Sequence, residues 1–296
     1  MAQTDLTYAA ALAQLRSDRH QFTGEDPRAA QLGAPLDHSA FGLDICDAPQ
    51  RRLRALLALG LLNDGQLGAV EVGEWALTGL IAKEPVFSPR PDHLAIVVCM
   101  SYNSVRHLVP NHPRSQVHRL PGLRLEQQVG GTYLLRHLPT GASLSVTDEP
   151  TTRPDPASVT GLKRNRLWRT DVDVTSDEQA ALGEVPPMTD AAEVLLAGLL
   201  VRFSLRDPAG RWSLANWDTH PLDRPLPQAS LSSHRLWGHG ERWMLEWSCD
   251  YPSGADVAAA LTDPKAGIVG AKAVDARRGW DIVLDGAVLA LRHRRY

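Results

Sequence analysis

In residues 7–19 the apolar positions Tyr8, Leu12 and Leu15 recur at helical spacing, which predicts a first amphipathic helix. The clearest patterned stretch follows at residues 51–80, RRLRALLALGLLNDGQLGAVEVGEWALTGL, and reads as helix, stop, polar break, helix. Leu53, Leu56, Leu57, Leu59 and Leu61 supply the apolar stripe of its first helix. Asp47 stands where an N-cap carboxylate accepts from first-turn N–H groups, and Pro49 sits where a missing N–H costs nothing. Asn63-Asp64-Gly65 ends that helix, and VEVGEWALTGLIAKEP predicts a second one closed by Pro85.

Beyond Pro85 the period changes. DHLAIVVCMSY, residues 92–102, has the short length and β-branched density of a buried strand, and GLRLEQQV and GTYLLRHL alternate as strands do. TDEPTTRPDP, residues 147–156, reads as an exposed connector and divides the chain into an N-terminal α/β half, 1–150, and a C-terminal half, 151–296. The second half repeats the order: a helix in DAAEVLLAGLLVRFSL, a turn at RDPAGR, a strand at RWSLANW, then a strand in which Trp243, Leu245, Trp247 and Cys249 share one face while Arg242, Met244, Glu246 and Ser248 share the other. Ser253 caps a helix in SGADVAAAL, and the tail folds as a hairpin through Asp285-Gly286.

The halves resemble each other in letters as well: HRLPG followed by GTYLLRHLPTGA in residues 118–142, and HRLWG followed by ERWMLEWSCDYPSGA in residues 234–255. These patterns predict an α+β protein with a mixed, mostly antiparallel central sheet, flanking helices and two pseudo-duplicated halves, each contributing strands to one sheet.

Composition narrows the function classes. With 43% apolar and 22% charged residues the 296-residue chain is an ordinary globular protein, and a formal net charge of −3 creates no field that would draw a polyanion. Cys46, Cys99 and Cys249 are scattered and form no CxxC pair, which argues against a disulfide framework or a thiolate metal site. MAQTDLTYAAALAQLRSDRHQ lacks a basic leader followed by an apolar core, and no run approaches the ~18 apolar residues of a membrane span. A cytoplasmic location without membrane contact is the expectation.

No reaction motif stands out. GxSxG, HExxH, GxGxxG after a strand and GxxxxGK[ST] are all missing, and Cys99 sits in an apolar strand where a thiol is inert packing. No cofactor or metal is therefore expected. An enzyme, a hydrolase or metal-assisted lyase, stays open through a loop-assembled site of His107, His112, His118 and His220. His93 and His137 lie in the same histidine-rich region. Nucleic-acid binding stays open through GLKRNRLWR at residues 161–169, with Lys163, Arg164, Arg166, Trp168 and Arg169, although Glu71 and Glu74 on the early helix pair would repel DNA. That stretch and the terminal LRHRRY also read as a charged edge strand and tail that discourage aggregation.

Tryptophan carries more information. Seven of the eight lie beyond residue 160, and Trp212, Trp217, Trp237, Trp243 and Trp247 crowd one stretch. Indoles fill cores, but Trp beside Arg is also what binding surfaces concentrate, so Arg235, Trp237, Arg242 and Trp247 are the partner-binding residues to test.

Two pieces resemble the EspG family of type VII secretion chaperones. RRLRALLALGLLNDGQLGAVEVGEWALTGLIAKE followed by HLAIVV resembles that family's helix ending in Gly-Leu-Leu, glycine break, second helix and sheet. GERWMLEWSCDYPSGADVAAAL is similar to its late strand, proline-glycine turn and alanine-rich helix. Gly60, Leu61, Leu62, Trp243, Pro252, Gly254 and Leu261 carry the likeness over about a fifth of the chain. The resemblance implies two quasi-duplicated α/β halves around a central antiparallel sheet, in a cytosolic, non-enzymatic protein that holds the tip of a secreted helical heterodimer. Residues 264–296 extend past the family's last helix, and the histidine-rich loop 102–121 has no counterpart. The functional expectation is a non-catalytic, chaperone-like adaptor that masks a hydrophobic surface of a client protein.

Overall fold

A computed structural model of the chain describes residues 2–23, 25, 27–33, 41–63, 85–98, 101–109, 119–148, 173–202, 233–248 and 252–294. Helix α1 (Ala2–Thr23) extends the predicted first helix at both ends and is followed by α2 (Pro27–Gly33). Helix α3 (Ala48–Leu61) starts where the local signals place it. The Asp47 carboxylate accepts the Gln50 N–H at 2.8 Å, and Pro49 occupies the first turn. The predicted helix at 70–85, the connector beyond residue 148, the basic stretch 161–169 and the strand at 211–217 lie outside the described residues.

Strands β1 (Val86–Pro89) and β2 (His93–Val97), helix α4 (Ser101–Leu108), and strands β3 (Leu123–Val129), β4 (Thr132–His137) and β5 (Ser143–Thr147) complete the first half. The second contains α5 (Ser176–Gly183), α6 (Asp190–Val201), β6 (Ser233–His239), β7 (Arg242–Ser248), α7 (Gly254–Leu261), β8 (Lys272–Ala276), β9 (Gly279–Leu284) and β10 (Ala287–His293). The fold is α+β, and the described strands fall into two mixed five-stranded sheets rather than one shared sheet.

The sheets have one topology. Their orders are β1-β2-β5-β4-β3 and β6-β7-β10-β9-β8. In each, the second strand pairs in parallel with the fifth, β2 with β5 and β7 with β10, and every other neighbour is antiparallel. A parallel pair needs a long crossover, and α4 and α7 sit at the same point of the two connections. The register of this duplication differs from the one read in the letters. HRLPG leads into β3 and GTYLLRHL covers β4, whereas HRLWG with ERWMLEWS covers β6 and β7, whose counterparts are β1 and β2. What the matching letters mark is a glycine-turned hairpin: Gly130 and Gly240, with φ of 56° and 61°, open the two turns.

Residues 264–296, which exceed the EspG-like pattern, supply β8, β9 and β10. The end of the chain is no edge: β10 lies in the middle of its sheet between β7 and β9, and Asp285-Gly286, φ 45° and 87°, make the predicted turn into it. Helix α3 packs along α6, and a single hydrophobic cluster runs from Leu53, Leu57 and Leu61 through Leu196 and Leu200 to Leu245 and Leu289, so both halves share one core.

Among the described residues two largely buried ion pairs tie remote segments together, Arg202–Asp44 and Arg124–Glu178, and a third, Arg19–Glu25, joins residues six apart and reaches the Phe41 and Pro89 carbonyls through Arg19. Arg124–Glu178 joins β3 to the N-terminus of α5. The Glu178 carboxylate accepts two hydrogen bonds from Arg124 at 2.7 and 2.8 Å, the Gly122 N–H and the Thr175 N–H. Burial pushes the Glu178 pKa up, but these donors overcome it and hold it down to about 2. Beside it His137 is fully buried, bonded to Thr140 and to the Pro121 carbonyl. Burial lowers its pKa to about 4 against the opposing pull of that carbonyl.

Both shifts act in the same direction with pH. As the pH falls from 6.5 towards 4 the unfolded chain protonates His137 while the folded chain does not, so stability is lost across that window, by about 3 kcal/mol at ~1.4 kcal/mol per pKa unit. Glu178 adds a further loss between about 4.5 and 2. Denaturant midpoints measured at pH 7, 5.5 and 4 should fall steadily in the native protein. In His137→Gln the drop between pH 6.5 and 4 should shrink, and an unaltered slope would remove His137 as its source.

Candidate protein-binding face

The β6–β7 hairpin is held at its tip and along its edge. Gly240 begins a two-residue turn between the paired His239 and Arg242, and its N–H donates to the Pro187 carbonyl at 2.7 Å while its own carbonyl accepts the Thr189 N–H at 3.2 Å. At mid-strand Asn63, from the end of α3, acts as a short substitute strand: its Nδ2 donates to the Leu236 carbonyl at 2.8 Å and its Oδ1 accepts the Leu236 N–H at 3.0 Å. The residue read from sequence as a helix stop thus also seals a sheet edge.

Inside, Trp243, Leu245 and Trp247 face the core with Leu289, Leu291 and Ile282. Trp247 is 0% exposed, stacks on His293 with centroids 5.4 Å apart, and donates Nε1–H to the Pro252 carbonyl at 2.9 Å. Trp243 packs across Gly238, where a Cβ would come within 2.6 Å of the Trp243 Cα, so glycine leaves the space this indole needs.

Outside, the same hairpin presents another set. Pairing aligns Arg235 with Glu246, Trp237 with Met244 and His239 with Arg242. The Arg235 guanidinium carbon lies 4.6 Å from the Trp237 ring centroid, a cation–π contact on a half-buried indole. Arg242 is exposed. Strand β10 continues this side with half-buried Val288 and Arg292 around Ala290, itself only 8% exposed, and β9 and β8 add Val283, Asp281, Lys272 and Val274, the last 49% exposed. Two carboxylates on the face are paired: Glu246 with Arg294 at 2.7 Å and Asp281 with Arg292 at 2.8 Å.

The four sequence-predicted residues therefore divide. Arg235, Trp237 and Arg242 share the outer face, whereas Trp247 belongs to the core, because successive side chains of a strand point to opposite sides and its position matches Trp243 and Leu245. Met244 stands beside Trp237 instead. The alternation in RWMLEWS places Met244 on the outer face already in the sequence, whereas Val288 joins it only through the parallel β7–β10 pairing of residues more than forty positions apart, which no local pattern marks.

The competing sites gain little geometry. His93 contacts Asp92 at 3.1 Å near the surface and His137 is the buried residue above, while His112, His118, His220 and the His107 side chain lie outside what is described. Among the described residues no group of three or more His, Cys, Asp or Glu could hold a metal ion, and no helix is long and apolar enough to cross a membrane. The Cys46 thiol is half-buried, and burial pushes its pKa up, away from nucleophilic thiolate character. No protein-family model, curated protein or solved structure matches the chain.

Proposed function

We propose that the chain is a non-catalytic, chaperone-like adaptor whose second sheet covers an apolar patch on a partner protein. The observation that carries this reading is the Arg235–Trp237 stack beside Met244 on a sheet face whose opposite side is already filled by core. Interfaces concentrate Trp, Arg and Met at their centre and charged residues at their rim, and this face has that arrangement. Trp237 and Met244 would desolvate the partner's apolar surface, and exposed Arg242 at the rim would set its register. The EspG-like pieces support the same reading, since that resemblance implies two α/β halves and a secreted helical client, and two halves of equal topology are present.

The test is co-purification from the native host, identification of the bound protein, and titration of that protein against variants. Trp237→Ala should weaken the complex about 30-fold, the effect of losing roughly 2 kcal/mol at an interface hot spot. Its thermal midpoint should stay within a few degrees of the native protein's. Unchanged affinity in that variant would remove the outer face of the second sheet as the binding surface.

A further inference from the structure

Resting on that reading of the outer face, we infer that its partner segment is an acidic, amphipathic stretch of polypeptide: an apolar side bounded by carboxylates. Strand pairing orders the face into rows that cross the strands. The central row is Trp237, Met244, Ala290, Asp281 and Val274. The row towards the β6–β7 turn is His239, Arg242, Val288, Val283 and Lys272, and the row on the other side begins Arg235, Glu246 and Arg292. Half-buried Trp237, Met244, Val288 and Val283, closed over the buried Ala290 between them, thus form a continuous apolar patch with cations at both margins.

The charges on this face do not cancel. Glu246 and Asp281 are already held by Arg294 and Arg292. Arg242 and Lys272 are exposed and, among the described residues, have no carboxylate partner, and neither do Arg277 and Arg278 in the β8–β9 turn. Arg242 and Lys272 flank the two valines of their row at three strand spacings, about 14 Å. A purely apolar partner laid across this row would strip water from two cations and return nothing, a cost avoided only if it brings its own anions. Carboxylates on both margins of an apolar stripe meet that condition. A phosphate backbone does so less well, because Glu246 and Asp281 lie within the face, Glu241 stands in the adjoining turn, and the apolar patch offers a single aromatic ring for base stacking.

Three fluorescein-labelled 18-residue amphipathic peptides, each with leucine on one side and Glu, Gln or Lys on the other, test this by anisotropy with the full-length protein at 50 and 300 mM salt. The Glu peptide should bind at least ten-fold tighter than the Gln peptide at low salt, and the Lys peptide weakest. Arg242→Glu/Lys272→Glu, at exposed positions and checked by circular dichroism, should bring the Glu and Gln peptides within two-fold of each other. Trp237→Ala should weaken both equally. Equal binding of Glu and Gln peptides, or a preference that survives the charge reversal, overturns the acidic partner; if Trp237→Ala still weakens both, the binding face itself stands. If Trp237→Ala changes neither, the face falls and this inference with it. Tighter binding of a 20-nucleotide oligo-dT or of phosphatidylserine vesicles, lost on the same reversal, would assign the cations to phosphate and overturn the proposal.

Discussion

Trp247→Ala is expected to cost about 3–5 kcal/mol of stability, the range for emptying a buried aromatic site. The indole is 0% exposed, its ring stacks on His293 at 5.4 Å, and its N–H is satisfied by the Pro252 carbonyl at 2.9 Å. Removing it leaves a cavity between His293 and the Pro252 segment that the surrounding strands cannot close, because β7 is paired on both sides, with β6 and β10. It also releases the Pro252 carbonyl that leads into the Ser253 capping box of α7, where Ser253 and Asp256 exchange hydrogen bonds at 2.9 and 3.3 Å. A chain of this size loses roughly 2–4 °C of Tm per kcal/mol, so a drop on the order of 10 °C is the measurable result. Trp237→Ala, ten residues earlier on the opposite face, should change Tm far less. Comparable drops in both variants would mean that Trp237 is structural as well and would undercut the outer face as a binding surface.

That contrast shows which part of the molecule is readable from residues. Signals that act within four positions survive into the structure: Asp47 on the Gln50 N–H, Ser253 on the Asp256 N–H, and Asp285-Gly286 at positive φ. The strand period survives too, since the alternation in RWMLEWS already separates Trp243, Leu245 and Trp247 from Arg242, Met244 and Glu246. Grouping Trp247 with Arg235, Trp237 and Arg242 followed residue type instead of pleat, and the structure divides them accordingly. Non-local pairing is what stays hidden. No local pattern indicates that β10 runs parallel to β7 or β5 to β2, so the terminal hairpin is legible in the sequence but its place at the sheet centre is not. Strand β5, SLSVT, is rich in hydroxyls and β8, KAVDA, is short and charged, so neither has a strand's usual hydrophobic signature. The apolar run DHLAIVVCMSY conceals a change of period, since α4 already starts at Ser101. The duplication itself lies in connectivity, which is why matching letters placed it one hairpin out of step.

Arg19→Met should destabilise the protein by about 3–5 kcal/mol, because it strands a carboxylate in the interior. Arg19 and Glu25 are both fully buried, joined by two hydrogen bonds at 2.7 and 2.8 Å. The guanidinium also donates to the Phe41 and Pro89 carbonyls at 2.7 and 3.2 Å, while Glu25 accepts from Thr23 and Ser88 at 2.8 and 2.5 Å. This network fastens the α1–α2 corner onto β1, the edge strand that corresponds to β6 in the duplicated topology. Where β6 is sealed by Asn63 and the segment before α6, β1 relies on these charges. With Arg19 gone, Glu25 keeps two hydroxyl donors but no counter-charge, and detaching α1, which returns the carboxylate to water, relieves the penalty. Urea unfolding should therefore show the lower midpoint together with faster hydrogen exchange confined to α1 and β1. Arg19→Met/Glu25→Leu should recover most of the loss, since an apolar pair of similar volume needs no desolvated charge. If the double variant is no more stable than Arg19→Met, the cost lies in the Phe41 and Pro89 carbonyls left without donors, and not in the stranded carboxylate.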